Sequence, residues 1–445
     1  MMNIGVNASA VGGHLVGWRH RDSWSPSVAK LENVILTARL AEQGKLDLIF
    51  LADGNGVRNM KAPTLFSSNS PTARPAVFEP VTLFSAVAQL VPNIGFVATA
   101  TTTYEEPYTV ARKFASLDLL SGGRGAWNLV TTSSPNDSQN FSHDEHMERD
   151  ERYARGREFA DVVRGLWDSW ADDAFPQDKA TGMYLDPARV HTLDHEGKYF
   201  SVKGPLNAPR SPQGRPVIFA AGQSESGIEV AAYCADAVFA TAGNKREGID
   251  FFNKIKGRLG KFGRRESDLK VLPEATIFVA PTRGEAEDFF RELHELVPIE
   301  LALANLEQLL GTSLSGFALD APMPEIPGEH LGTTAIGRQA LTGAIRDGLT
   351  LRQFANRMLA AITGNTFVGS PGDIADQMED WYKSGACDGF IIANPVMPRS
   401  LQAFVELVVP ELQRRGLFRT AYPGSTLRET MGLPIPTNPY FPPSR

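Results

Sequence analysis

Short apolar runs alternate with longer segments of helical spacing along most of the chain. Eight runs have the length of strands and are predicted at residues 2–9, 47–52, 93–99, 126–130, 215–221, 235–241, 270–280 and 388–393. Helical spacing of apolar residues separates them, as at 28–45, 78–91, 107–120, 150–170, 246–259, 371–383 and 399–415. Strands that alternate with helices are typical of parallel βα units. Eight such units in a chain of 445 residues favour a TIM (β/α)8 barrel over an open doubly wound sheet.

Four long irregular regions interrupt this alternation, near residues 54–77, 132–149, 172–214 and 294–369. The last contains two pieces of helical spacing, at 300–310 and 351–362, around a middle rich in glycine and proline. Segments of this length are uncommon unless they are functional, and insertions after the strands of a TIM barrel lie over its mouth. We therefore predict one domain over residues 1–445, with long insertions over the carboxyl-terminal face that cover a pocket for a bulky cofactor or substrate.

The fourth predicted strand contains an unusual polar residue. Asn128 interrupts the apolar run 126–130, and Thr131 follows directly. A buried amide is costly unless it is hydrogen-bonded. Asn128 therefore either bonds a neighbouring loop backbone or, together with Thr131, meets a ligand at the carboxyl end of the strand. The barrel favours the ligand, because function concentrates at the carboxyl ends of its strands.

Polar residues follow other predicted strands as well. Asp53 ends the second strand, and Thr101 opens a run of three threonines behind the third. Gly222, Gln223 and Ser224 lie between the fifth strand and a helix, where backbone amides and hydroxyls can bind an anion. An ordinary N-cap by Ser224 is the alternative.

Three further candidates lie outside the strand ends. Tyr153, near the start of the long fourth helix, either packs or binds a phosphate through its hydroxyl. Arg19 and His20 follow the first strand beside Trp18, where a surface loop is the alternative. We predict no metal site, because the eight histidines form no His-Glu-x-x-His pair and the loop that holds His143 and His146 lacks a third convergent ligand.

Composition excludes several classes of function. A formal charge of −7 argues against binding to nucleic acid or to an anionic membrane. No apolar run is long enough to span a membrane, and the first residues lack a signal-peptide pattern. Two cysteines are too few for a disulfide framework. We expect a cytoplasmic protein. The chain also lacks a Gly-x-Ser-x-Gly nucleophile elbow and a phosphate-loop motif.

Several motifs, in order and over nearly the whole chain, resemble a known family. It is the family of flavin-dependent monooxygenases that includes nitrilotriacetate monooxygenase component A and dibenzothiophene sulfone monooxygenase, within the bacterial-luciferase-like superfamily. The matching motifs are GWRH at 17–20, GKLD at 44–47 with LAD at 51–53, TTY at 102–104, GRxAWNxVT at 123–131, DERY at 150–153, LWxxW at 166–170, HxGKYF at 195–200, AGQS at 221–224 and ELVVPELQRRGL at 406–417.

The resemblance implies a TIM barrel that uses reduced FMN, delivered by a separate NAD(P)H-dependent flavin reductase, and O2 to form a peroxyflavin. It implies that the flavin contacts are Asp53, Thr101, Tyr153, Ser224 with Gly222 and Gln223, and Asn128 with Thr131 beside the isoalloxazine ring. One departure is Arg149, where the family usually has a histidine. Arginine can still meet a phosphate but cannot shuttle a proton near neutral pH.

The predicted function is that of a two-component monooxygenase that oxygenates a small organic or xenobiotic substrate, with Arg19 and His20 on the substrate side. We expect a homodimer or homotetramer. The alternatives are a deazaflavin-dependent hydride-transfer oxidoreductase of the same superfamily and a non-catalytic flavin-binding protein. A polycarboxylate substrate is not favoured over an apolar one, because residues 54–77 contain only Arg58, Lys61 and Arg74 as basic residues.

Overall fold

The computed structural model of the chain describes residues 1–9, 12–24, 29–58, 60–68, 77–132, 134–323, 325–326, 335–361 and 365–442. Within these ranges the main sheet has nine strands: β1 (Asn3–Asn7), β2 (Leu48–Leu51), β3 (Gly95–Thr101), β4 (Gly125–Val130), β5 (Val217–Ala220), β6 (Ala237–Ala240), β7 (Lys270–Val279), β8 (Asn365–Gly369) and β9 (Gly389–Ala393). A separate two-stranded ribbon pairs His195–Glu196 with Ser201–Val202.

The helices mostly follow the strands along the chain. They are α1 (Leu31–Gln43), α2 (Pro63–Ser67), α3 (Pro80–Val87), α4 (Pro107–Leu120), α5 (Arg149–Trp167), α6 (Glu225–Cys234), α7 (Lys245–Leu259), α8 (Arg283–Glu295), α9 (Ile299–Leu310), α10 (Ala335–Arg346), α11 (Leu351–Ala361), α12 (Pro371–Lys383), α13 (Arg399–Ala403), which continues through a π-helical turn (Phe404–Val408) into α14 (Val409–Arg414), and α15 (Leu427–Met431). None of these helices combines the length and the apolar character needed to cross a membrane.

Eight of the strands close into a parallel barrel. Around the ring the order is β1, β2, β3, β4, β5, β6, β7 and β9, and β9 pairs with β1 to complete the circle. All neighbours in the ring are parallel. The predicted (β/α)8 barrel and its eight strands are confirmed.

The ninth strand, β8, lies within the region that the sequence pattern assigned to an irregular insertion. It pairs with the second half of the long strand β7, from Asn365 opposite Ala275 to Gly369 opposite Val279. The prediction missed β8 because a five-residue segment with only two apolar side chains carries no clear period. It also missed helix α10, which lies in the stretch taken as a Gly/Pro-rich middle.

Side chains alternate between the barrel interior and the surrounding helices, as strand geometry requires. Val97, Ala126, Leu272 and Ile391 belong to one apolar cluster inside the barrel. The residues between them pack instead in the larger cluster under the helices, as the buried Trp127 does. Two residues beyond Val97, Ala126 and Leu272, the inward positions are polar, namely Thr99, Asn128 and Glu274.

The helices after β7 form a second apolar layer over one side of the mouth. We call this layer the cap; it comprises α8, α9, α10 and α11 with the loop residues Leu15 and Val16. Phe278, near the end of β7, packs into the cap against Phe289 at a ring-centroid distance of 5.3 Å. The extension of β7 beyond the ring therefore connects barrel and cap.

Arg124, in the GRxAWN motif, holds together the opposite, amino-terminal end of the barrel. It is 5% exposed, and its guanidinium donates to the carbonyls of Ser121 at 2.6 Å, Val91 at 2.8 Å, Ile94 at 2.6 Å and Ala88 at 3.1 Å. These carbonyls lie after α3 and α4, so one side chain satisfies two helix ends. The role of this motif arginine is structural.

Replacing Arg124 with methionine should therefore destabilise the fold. Four buried carbonyls would lose their donor, and we expect the free energy of unfolding to fall by about 3 kcal/mol. Urea unfolding followed by tryptophan fluorescence measures this loss. The matched control is Arg112→Met on the exposed face of α4, which should stay within experimental error of the parent chain. Equal stability of the two variants would contradict the assignment.

Candidate functional site

Asn128 lies on the inward face of β4 at the mouth of the barrel. Its side chain is almost fully buried, and its Nδ2 donates to Thr99 Oγ1 at 2.9 Å. Thr99 Oγ1 in turn donates to the carbonyl of Leu51 at 2.7 Å. The Oδ1 atom of Asn128 is buried and has no hydrogen-bond partner within the described part of the chain. A buried acceptor of this kind is costly unless a ligand supplies the donor.

The ends of β3 and β4 are tied together by hydroxyl and guanidinium groups. Thr101 Oγ1 lies 2.6 Å from Thr132 Oγ1 and accepts a hydrogen bond from the backbone amide of Thr103 at 3.0 Å. Arg152 of α5 donates to the carbonyl of Thr131 at 2.9 Å and also to that of Thr132. A cation in the first turn of a helix opposes the helix dipole. This mismatch, together with the position of Arg152 in the DERY motif, is a sequence signal that could have identified it.

A strand-to-helix turn forms the second part of the site. A Cβ at Gly227 would lie 2.8 Å from the Cα of Gly222, so the turn is closed tightly because both residues are glycine. Ser224 is the N-cap of α6, and its Oγ accepts from the amide of Gly227 at 3.1 Å. The same Oγ lies 3.3 Å from the hydroxyl of Tyr153. We call these four residues the cradle; it presents the amino end of a ten-residue helix together with two hydroxyls.

Gln223 braces the cradle with its side chain. Its Nε2 donates to the carbonyl of Thr241 at 2.6 Å, and its Oε1 accepts from Thr241 Oγ1 at 2.8 Å. Glu225 begins α6, and Lys254 and Arg258 pair with its carboxylate. The negative charge of Glu225 beside the cradle is therefore compensated.

The insertions after β2, β3 and β4 meet beside this site. Asp53 lies half-buried behind β2. Two residues later, the amide of Asn55 donates to Asp137 Oδ2 at 3.2 Å. Tyr104 stacks on Phe141 at 4.8 Å. These contacts, which we call the roof, join three loops over the β2–β4 side of the mouth.

Arg19 and His20 lie at the edge of the cap. Arg19 donates to the carbonyl of Leu296 at the end of α8. His20 is buried, with Nε2 3.2 Å from Arg399 Nη1 and Nδ1 accepting from the amide of Asp22 at 3.1 Å. Burial and the charge of Arg399 lower the pKa of His20. The structure thus places both residues at the junction of the β1 loop with the cap, and a substrate-side role stays a prediction.

Sequence reasoning missed a carboxyl group inside the barrel. Glu274 follows Leu272 on the inward face of β7 and keeps partial accessible surface, although protein surrounds it on nearly every side. It therefore lines an internal hollow. Burial raises the pKa of Glu274 to about 7, and a hydrogen bond from the side-chain amide of Asn7 opposes this shift. The sequence pattern gave no sign of this role, because Glu274 follows a proline in the middle of a mostly apolar strand.

The comparisons with known proteins identify the architecture. Residues 11–388 match the luciferase-like monooxygenase family. The chain belongs to the luciferase-like monooxygenase family. It is 40% identical over 441 residues to N-acetyl-S-(2-succino)cysteine monooxygenase of Bacillus subtilis (strain 168), covering 99% of this chain and 98% of the relative. It is 42% identical over 447 residues to nitrilotriacetate monooxygenase component A of Aminobacter aminovorans, covering 100% of this chain and 99% of the relative.

A solved structure of a riboflavin lyase, with modified FMN and riboflavin, has a TM-score of 0.82 to this luciferase-like chain. The two are 30% identical, and the match covers 97% of this chain and 96% of the other. The family resemblance seen in the sequence is confirmed. The chain is an oxidoreductase of the monooxygenase type, and the relatives favour this function over hydride transfer. These relatives support a flavin cofactor. The residues of the site fit one, because the cradle suits a phosphate and Asn128 Oδ1 can accept a hydrogen bond from a ligand.

The raised pKa of Glu274 predicts how the stability of this luciferase-like barrel depends on pH. Below pH 4.5 the carboxyl is protonated in the folded and unfolded chain alike. Between pH 4.5 and about 7 the unfolded chain ionises more readily than the folded one, so this group lowers stability progressively as pH rises, and the full loss is present above about 7.

Glu274→Gln should therefore be more stable than the parent chain at pH 9, by about 2 kcal/mol, and nearly equal to it at pH 4 to 5. Thermal unfolding of both proteins across this range measures the difference. Glu32→Gln, on the exposed face of α1, is the control and should show no such trend. A difference for Glu274→Gln that does not grow with pH would show that the carboxyl is not held neutral by the fold.

Proposed function

We propose that this chain is the oxygenase component of a two-component flavin-dependent monooxygenase. A separate NAD(P)H:flavin reductase would supply reduced FMN, and O2 and a small organic substrate would complete the reaction. The observation that carries the proposal is the cradle at the amino end of α6, on the same mouth as the unpartnered oxygen of Asn128. Bound reduced flavin supplies the activation of O2, and the protein's residues supply binding, orientation and dryness.

The cradle would hold the phosphate end of FMN. Backbone amides at the amino end of α6 favour an anion. The hydroxyls of Ser224 and Tyr153 lie 3.3 Å apart and can both donate to phosphate oxygens. Gly222 and Gln223 would bring backbone close to the same group, with Gln223 fixed by Thr241. Arg149 begins α5 with an exposed side chain, which would add permanent positive charge nearby.

Asn128, with Thr101, Thr131 and Asp53, would meet the ring of the flavin. The Oδ1 atom of Asn128 is the group that requires a donor, because its Nδ2 is already bonded to Thr99. Thr101 and Thr131 lie where β3 and β4 end, and Arg152 fixes that end by bonding the carbonyl of Thr131. These groups are preorganised, so ligand binding would require little rearrangement.

Exclusion of water would come from the roof on one side of the mouth and the cap on the other. The cap is an apolar layer held by Phe278 and Phe289. A dry pocket protects reactive oxygen species from unproductive decay and strengthens the electrostatic interactions inside it. We propose that residues 1–445 form one domain whose insertions serve this purpose. Arg19 and His20 would hold the loop after β1 against the cap, on the substrate side of the mouth.

We also propose that the protein works in the cytoplasm as a homodimer or homotetramer. Both Cys234 and Cys387 are buried free thiols, which suits a reducing compartment. Leu90 and Leu120 are about half exposed, and the bond from Gln89 Nε2 to the carbonyl of Leu120 places them near each other, which offers an apolar contact for a second copy.

The test of the function combines the protein with a flavin reductase, NADH, FMN and isotopically labelled O2. The probes are N-acetyl-S-(2-succino)cysteine and nitrilotriacetate, the compounds in the names of the two relatives, with an apolar sulfide added. We expect one probe class to gain labelled oxygen, detected by mass spectrometry. In a parallel assay with an alcohol as hydride donor and an oxidised deazaflavin as acceptor, reduction of the deazaflavin without O2 uptake would support the hydride-transfer alternative. Flavin binding without any O2 uptake would support the non-catalytic one.

Two substitutions should separate the two ends of the flavin site. Tyr153→Phe removes a hydroxyl from the cradle and should weaken FMN binding about tenfold, since a hydrogen bond to a charged group contributes about 1.5 kcal/mol or more. It should leave the binding of riboflavin, which has no phosphate, unchanged. Asn128→Leu should weaken FMN and riboflavin equally, because it acts on the ring they share.

Fluorescence titration with each flavin measures these affinities. The matched control for Tyr153→Phe is Tyr108→Phe, whose hydroxyl bonds Asn207 at 3.3 Å on the outside of the barrel. If Tyr153→Phe weakened both flavins alike, the phosphate assignment of the cradle would be wrong, and if Asn128→Leu changed neither, the ring assignment would be wrong.

A further inference from the structure

Glu274 is the feature of the barrel that the flavin site leaves unexplained. It lies opposite Ile391 of β9, which in turn lies opposite Gly5 of β1, so these three positions share one layer of the interior. Asn7, one inward position beyond Gly5, hydrogen-bonds the carboxyl group. The carboxyl therefore faces the part of the interior that opens towards the mouth.

Most other buried acidic residues that the structure describes have partners that explain them. The exception is Asp137 of the roof, whose Oδ2 accepts from the amide of Asn55 and whose Oδ1 has no partner among those residues. Asp168 pairs with Arg210 and Arg215, Asp47 with Arg419, and Asp236 with Arg428. Asp118 lacks a paired cation but receives hydrogen bonds from Ser211, Gln213 and the amide of Gly125. Each of these serves the fold.

Glu274 has no such explanation among the described residues. Among the residues that the structure describes, no cation contributes to the environment of its carboxyl group, and the side chain of Asn7 supplies the one hydrogen bond to it. A buried carboxyl without a counter-ion costs stability and is retained where it serves a ligand. The inward positions of the barrel strands carry no basic residue either, apart from Lys270 at the opposite end of β7.

The wall across the barrel presents the same chemistry. β7 lies four places from β3 in either direction around the ring, so Glu274 faces the Thr99–Asn128 pair. The free group of that pair is also an acceptor, Asn128 Oδ1. The space between the walls therefore offers hydrogen-bond acceptors and one ionisable carboxyl, and it suits a ligand that brings donors.

We propose that Glu274 is a specificity-determining residue that recognises a protonated amine or another N–H group of the substrate. This inference rests on the proposed function and adds a substrate class to it, namely a nitrogen-bearing compound. The N–H group of that compound would point to the β7 wall, while the flavin would occupy the β3–β4 wall. Binding of an ammonium group pairs the buried carboxyl with the cation that the fold does not provide. An anionic group at the same place would face the carboxyl group of Glu274 instead of a cationic side chain.

The test uses FMN-loaded protein and three probes of similar size, namely benzylamine, benzyl alcohol and benzoate. FMN binding is measured first in every variant, so that loss of the cofactor is not mistaken for loss of the probe. Dissociation constants then come from calorimetry and from the change in flavin absorbance, which reports binding beside the ring. The parent chain should bind benzylamine at least tenfold more tightly than benzoate.

Glu274→Gln should abolish this preference by weakening benzylamine at least tenfold without weakening benzoate. Glu274→Asp keeps the charge and should retain most of the preference, and it provides a second variant if the glutamine protein folds poorly. Glu32→Gln on the surface should leave the preference unchanged. A parent chain without the preference, or a Glu274→Gln protein that keeps it, would overturn the inference. A parent chain that binds no FMN would instead contradict the proposed function.

Discussion

Closure of the barrel is the constraint on which the site depends. Because β9 hydrogen-bonds both β7 and β1, all eight strands are locked into one register, and alternate side chains must point to a common interior. The lower interior is filled by apolar groups such as Phe50 and Leu272. Above them Asn7, Asn128 and Glu274 take the inward positions. Residues far apart in the chain thus form one polar chamber under the cap.

The chamber is divided between two tasks by the elements that border it. On the β3–β4 side, Arg152 fixes the strand ends and the cradle lies close by, which gives a place for an extended ligand with an anionic end. The opposite side of the chamber is formed by Glu274 on β7, Asn7 on β1 and the apolar cap. In the proposed function, a flavin and a second small molecule would occupy one mouth from opposite walls.

The fold satisfies most of its buried polar groups internally, and two of the exceptions among the described residues lie at the mouth. Arg124 and Asp118 at the amino-terminal end are fully engaged with backbone and side-chain partners. At the carboxyl-terminal end, Asn128 Oδ1 lacks a partner and Glu274 lacks a cation. This asymmetry is typical of TIM barrels, in which one end stabilises and the other carries out chemistry.

The sequence by itself determined the eight-strand barrel, the family and the strand-end residues, because period, spacing and motif are local properties of the chain. It also identified Asn128 as a costly amide, but it could not show that Thr99 satisfies one end of it and leaves the other open. Strand β8 and helix α10 were not predicted from the sequence, since their local sequence signals are weak. Only the tertiary structure placed Glu274 in the chamber and Arg19 and His20 against the cap. Whether a polar group is paired depends on residues hundreds of positions away, which barrel closure brings within hydrogen-bonding distance.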